Sequence, residues 1–346
     1  LHLDNYMTAS EIIKDLKAKK FKPLYLLHGE ESYYIDQVIE YMENHVLSEM
    51  ERGFNQTILY GKDTEISTIL NAAKRYPMMS DVQLVVVKEA QDLKWKEIEG
   101  SSKEAAFVQG YFDNPMPTTI LVLAYKHGNF DKRKKIYKSI AKSGVIFQSE
   151  LVRDYKLAQW IEELVKEKGY KIAAPASALM AEYLGADLSK IANEAEKLLL
   201  NIGKETTIDT TLIQRNIGIS KEYNVFELQK AIVMRDVYKC NQIANYFGDN
   251  PKANPMVLVM ASLNAYFTKV LKYHYLPNKP DAAKELGVSP FFVKDYEAAA
   301  RSYQIEKTMQ VISLLREYDL KSKGVDSTGN VTDGELLKEL LFKIIH

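Results

Sequence analysis

Leu24-Tyr25-Leu26-Leu27-His28-Gly29-Glu30-Glu31-Ser32-Tyr33-Tyr34 decides the fold: an apolar run, one glycine, then a helical pattern that continues to Val46. A short apolar run that turns at glycine into an amphipathic helix is the unit from which parallel sheets are built. Outward from this stretch the alternation repeats. Strands are expected at Leu24–His28, Gln56–Tyr60, Val82–Val87, Thr118–Ala124 and Gly144–Gln148. Helices are expected at Ser32–Val46, Glu65–Arg75, Lys103–Phe112 and Lys132–Lys142, the last capped by Asp131 and closed by Gly144. The pattern predicts an α/β domain over residues 1–150 with a doubly wound, five-stranded parallel sheet. Met7 opens a clean helical pattern, so Leu1–Tyr6 are set aside as an upstream remnant.

The turn after the first strand lies where a phosphate loop would place glycines, backbone N–H groups and a Lys-Ser/Thr pair. Here Gly29 stands alone, and Glu30 and Glu31 bring negative charge to the place a polyphosphate would take. The third strand ends in Lys88, where a nucleotide hydrolase would offer an Asp for Mg²⁺. Gly29, Glu30, Glu31 and Lys88 therefore mark a degenerate site that binds no nucleotide, or a domain that never had one. No cofactor is expected. The six histidines, His28 among them, show no metal-ligand spacing, and no Gly-x-Ser-x-Gly elbow occurs.

Between the second helix and third strand lies Arg75-Tyr76-Pro77-Met78-Met79-Ser80. Pro77 ends the helix and presents Met78 and Met79 on the following turn. Adjacent side chains on a turn do not easily share one core. The pair either fills the domain's own interior or forms an apolar plug for a partner, where each buried Met contributes roughly 1.5–3 kcal/mol. The basic run Lys132, Arg133, Lys134, Lys135 and Lys138 reads either as a solvated helix face or as a contact with DNA or another subunit.

Beyond Leu151 the pattern is helical. One block, 151–218, carries the stripes Leu157, Trp160, Ile161, Leu164, Val165 and Leu188, Ile191, Ala192, Ala195, Leu198, Leu199, and a longer one, 219–346, is rich in Leu, Ile, Met, Tyr and Phe. Equal numbers of basic and acidic residues, 46 each, argue against a general-purpose DNA binder. Cys240, alone, forms no disulfide within the chain, and the longest apolar stretch, Met256–Phe267, is too short for a bilayer. The chain reads as soluble and cytoplasmic, with no membrane partner.

In these stretches the chain resembles the delta subunits of the bacterial DNA polymerase III clamp loader. The resemblance rests on Pro23–Glu31, on Arg75–Ser80 followed by Leu84–Val87, and on Asp131–Lys135. It continues through Trp160-Ile161, Asn193–Leu198 and Leu286-Gly287-Val288-Ser289-Pro290-Phe291-Phe292-Val293-Lys294. It implies an AAA+-type module without ATP binding, a helical lid and a helical collar that joins the ATPase subunits (gamma/tau) and delta-prime in a pentamer. It further implies a clamp-binding element at Tyr76, Pro77, Met78, Met79 and Ser80, where an apolar pair enters a pocket on the ring-shaped sliding clamp (beta). The family more often has Leu and Phe at this pair. The implied role is to open the ring for loading onto primed DNA, with no chemistry of the subunit's own. Two other readings remain, a helical adaptor of another assembly and a phosphotransferase with an unusual phosphate loop.

Overall fold

The computed structural model describes residues 7–98, 102–204, 206–217, 223–325 and 331–346. The chain divides into two compact units, the first ending at Val152 and the second running from Arg153. Leu1–Tyr6, and the expected boundary at 218/219, lie outside the described residues.

In the first unit the chain runs through α1 (Ala9–Lys17), β1 (Leu24–Gly29), α2 (Ser32–His45), α3 (Glu49–Asn55), β2 (Gln56–Tyr60), α4 (Ile66–Ala73), β3 (Gln83–Lys88), α5 (Trp95–Ile98), α6 (Lys103–Asp113), β4 (Thr119–Lys126), α7 (Lys135–Ser143) and β5 (Val145–Ser149). The five strands form one all-parallel sheet in the order β2-β3-β4-β1-β5. Because side chains alternate across a sheet, each strand divides its residues between two cores. Leu24, Leu26, Val85, Val87, Leu121 and Leu123 pack beneath Ile69, Leu70, Val108, Phe112, Ile136 and Ile140 of α4, α6 and α7. Tyr25, Leu27, Leu84, Val86, Ile120 and Val122 pack beneath Ile12, Leu16, Ile35, Val38, Ile39 and Met42 of α1 and α2. Sandwiched on both faces, β1 is buried along its whole length and delivers Gly29 to the carboxyl ends of the strands. In open α/β sheets of this kind, that edge next to a change in strand order is where ligands bind.

Local signals fix several helix starts. Thr8 and Glu11 form a capping box at α1, Ser48 and Glu51 another at α3, and Ser102 caps α6. The expected cap of α7 does not form. Asp131 instead accepts from the backbone N–H of Arg133 at 2.9 Å and pairs with its guanidinium, so the helix begins at Lys135 and not at Lys132.

The second unit comprises α8 (Leu157–Glu167), β6 (Lys171–Ile172), α9 (Ala174–Leu184), α10 (Leu188–Leu200), β7 (Thr207–Ile208), α11 (Thr210–Asn216), α12 (Val225–Val233), α13 (Val237–Asp249), α14 (Met256–Tyr275), α15 (Ala282–Leu286), α16 (Val293–Ser302), α17 (Ile305–Ser322) and α18 (Asp333–Ile345). The two-residue strands β6 and β7 pair in parallel, a feature absent from the purely helical expectation. From Leu228 onward one continuous core holds α12 to α18 together, with Phe267 edge-on to the buried Tyr303, whose hydroxyl donates to Ile232 O at 3.0 Å. Cys240 is buried in it, its thiol pushed up to about 12 by desolvation and then by Asp236. Such a thiol is inert packing. No helix among the described residues is long and apolar enough to cross a membrane.

Candidate functional site

Two places in the first unit carry the residues singled out from the sequence. The first is the turn after β1. Gly29 has φ +143°, and the N–H of Glu30 donates to Ser149 O of β5 at 3.1 Å, so this turn is stitched to the neighbouring strand. Glu31 is buried, and its carboxylate accepts from the N–H of Tyr33 at 3.0 Å, capping α2. The helix N-terminus that would attract a phosphate is thus served by the chain's own anion. Lys88, at the end of β3, is committed to Glu43 of α2 at 2.7 Å, and Lys126 of β4 pairs with Asp36. The four residues of the degenerate site are engaged in holding the unit together.

His28, next to the turn, is fully buried, and its Nδ1 accepts from the N–H of Phe130 at 3.2 Å. Burial and then the charge of Lys132 push its pKa from 6.5 down to about 4, against a smaller opposing contribution from Asn129. The unfolded chain takes up this proton near pH 6.5 and the folded chain only near pH 4. The stabilising contribution is therefore complete above pH 6.5 and is lost as pH falls through about 4. A shift of this size corresponds to up to about 3 kcal/mol. Thermal unfolding at pH 7.5 and 4.5 should show this loss in wild type and a shallower one in His28→Asn, which keeps an acceptor for Phe130. Parallel pH profiles for the two proteins would refute it.

The second place is the segment after α4, which leaves its helix in a fixed direction. Gln83, buried at the start of β3, donates to Ala72 O and to the Arg75 carbonyl, and Thr119 of β4 donates to Ala73 O at 2.8 Å. These buried groups satisfy carbonyls that the end of a helix leaves bare. Arg75 then reaches across to Thr57 Oγ1 at 2.9 Å. Around Pro77 the segment stands out from the surface: Tyr76 is 76%, Met78 60% and Met79 100% exposed. The interior-filling alternative for the methionines fails here. Met79 has φ +53°, uncommon for a residue with a side chain. The Glu51 carboxyl of α3 is held down at about 2 chiefly by its capping bonds with Ser48, with a smaller contribution from Ser80. Beside them, Met50 and Phe54 form an exposed apolar stripe one turn apart on α3.

Residues 25–150, which contain both places, match the family described as DNA polymerase III, delta subunit. Along almost its whole length the chain is similar to DNA polymerase III subunit delta of Bacillus subtilis (strain 168), with 26% identity over 336 residues, 95% of this chain and 94% of that protein. Over nearly its whole length the chain is thus similar to DNA polymerase III delta subunits. Its fold agrees: the Bacillus subtilis DNA clamp loader delta protein superposes with a TM-score of 0.62 at 24% identity, covering 97% of this chain and 99% of that one.

The basic run is partly absorbed by its surroundings. Arg133 is held by Asp131, Nη2 to Oδ2 at 2.8 Å, and Lys134 lies over the rings of Trp95 and Phe130, 5.2 Å from each centroid. Lys132 and Lys135 are exposed. The residues that sequence reading misses are the braces of the exposed segment, Asn55, Gln83 and Thr119, none of which carries a local signal.

Proposed function

We propose that this chain serves a clamp loader in DNA replication by docking Tyr76–Ser80 on a sliding clamp and holding the ring open. The observation that carries this reading is the presentation of Met78 and Met79, exposed side by side on a segment anchored at Arg75 and at Met78. An isolated apolar plug on a rigid base suits insertion into a preformed pocket, because the cost of ordering it is already met in the fold. Opening needs no covalent step. If the subunit binds a clamp conformation incompatible with the closed ring better than the closed one, binding shifts the population toward open.

On this reading the subunit has no catalytic activity of its own, and ATP is handled by gamma/tau neighbours within a pentamer that includes delta-prime and acts on primed DNA in the cytoplasm. The helical second unit supplies a lid over 151–218 and an oligomerising collar over 219–346. Lys135, exposed at the start of α7, is the member of the basic run placed for DNA phosphates or an acidic neighbour. Calorimetry with the intact chain and the sliding clamp of the same organism tests the proposal. A Kd below about 1 μM, equivalent to about −8 kcal/mol, is expected; no heat of binding at tens of micromolar would sink it and leave the adaptor reading. ATP titrated under the same conditions is expected to give no saturable binding, since Glu31 occupies the helix N-terminus and Lys88 is paired. Micromolar ATP affinity would favour the phosphotransferase.

A further inference from the structure

The geometry points to Asn55 as a positioning residue for the docking pair, an inference that rests on the clamp-docking reading above. Asn55 closes α3 and is only 2% exposed, yet its side chain turns to the most exposed segment of the unit. Its Oδ1 accepts from the N–H of Met78 at 2.7 Å, and its Nδ2 donates to Met78 O at 2.8 Å. A primary amide that bonds both the N–H and the C=O of one residue acts on it as a neighbouring strand would. It fixes the peptide planes on both sides of Met78, and so the plane from which Met79 departs. One turn earlier on the same helix lies Glu51, whose carboxyl is lowered in part by Ser80, the residue after Met79.

Met79 itself sits in the left-handed region with its side chain wholly in solvent. A bulky residue holds such a conformation only where its surroundings over-determine it. Nothing about the packing of the unit requires it, because the Met79 side chain packs on nothing. The hydrogen-bonding capacity of a buried amide is thus directed to the shape of an exposed apolar tip. That arrangement is what a preformed plug needs: without it the segment would sample other conformations, and docking would have to select one.

The test is a double-mutant cycle on the intact chain with the same organism's sliding clamp, using Asn55→Ala and Met79→Ala singly and together. Asn55→Ala is expected to weaken binding about tenfold in the wild-type background and less than about twofold when Met79 is already Ala. Asn55→Asp, which keeps the acceptor for the Met78 N–H and loses the donor to its carbonyl, is expected to fall between wild type and Asn55→Ala. Thermal unfolding is followed in parallel, and Asn55→Asp carries the cycle should Asn55→Ala fail to fold. An equal loss in both backgrounds would assign the effect to general destabilisation and overturn the positioning role. Wild-type affinity for Asn55→Ala alongside weakened Met79→Ala would also overturn it while leaving the docking reading intact. If neither position affects affinity, the docking reading itself falls.

Discussion

Replacing Met78 and Met79 together by alanine is expected to weaken binding to the sliding clamp by 100- to 1,000-fold while moving the melting temperature by less than about 2 °C. The two halves of this expectation have one cause. Both side chains are exposed in the free subunit, so truncating them removes little from the folded state and leaves no cavity. On docking, each thioether leaves water, at roughly 1.5–3 kcal/mol per side chain. Neighbouring side chains that enter one pocket do not contribute additively, so about 3–4 kcal/mol is the expected sum. Calorimetry on wild type and double mutant, each with a melting curve, reads both quantities. A loss of less than fivefold would move the docking element elsewhere on the first unit. A large drop in melting temperature would show that the methionines support the fold.

The opposite profile is expected at Gly29. A β-carbon there would lie 1.9 Å from the carbonyl oxygen of Ser149 and 2.7 Å from its nitrogen, with φ at +143°. Both obstacles are backbone in the adjacent strand, so relief requires β1 and β5 to separate at the point where Glu30 joins them. Gly29→Ala should cost at least about 3 kcal/mol, seen as a melting temperature lower by about 10 °C or more. Gly53, on the exposed side of α3 with open space around it, is the control. Gly53→Ala should leave stability unchanged or raise it by up to about 1 kcal/mol. If the two substitutions gave similar melting temperatures, the close approach of β1 to β5 would be wrong. Single glycines at strand ends invite a functional reading, as Gly29 does in a phosphate-loop comparison. Here close backbone packing is reason enough for the residue.

How far each feature is legible in the sequence follows from the range over which its physics acts. The five strands are legible because a sheet covered on both faces demands continuous runs such as Leu84–Val87, and their ends fall within two residues of expectation. The strand order is not, since it depends on which helix covers which face. The third helix escapes because Met50 and Phe54 face solvent and leave no apolar stripe directed at a core. Asp131 misleads because an Asp followed two residues later by Arg can cap a turn as readily as a helix, and here it binds Arg133. The exposed segment after α4 is locatable from Pro77 and the adjacent methionines. Its brace is not, because Asn55 and Met78 are 23 residues apart and a lone Asn carries no long-range signal.

An anion that belongs to the chain cannot dissociate, and this gives the Glu31 carboxylate at the start of α2 a meaning beyond capping. A domain whose helix N-terminus waits for a phosphate exists in loaded and empty forms, and its stability rises and falls with the supply of its ligand. With Glu31 in that position the charge at the start of α2 is built into the chain. On the proposed clamp-docking reading, such a subunit would supply a fixed reference, against which the movements of cycling neighbours become displacement of the ring.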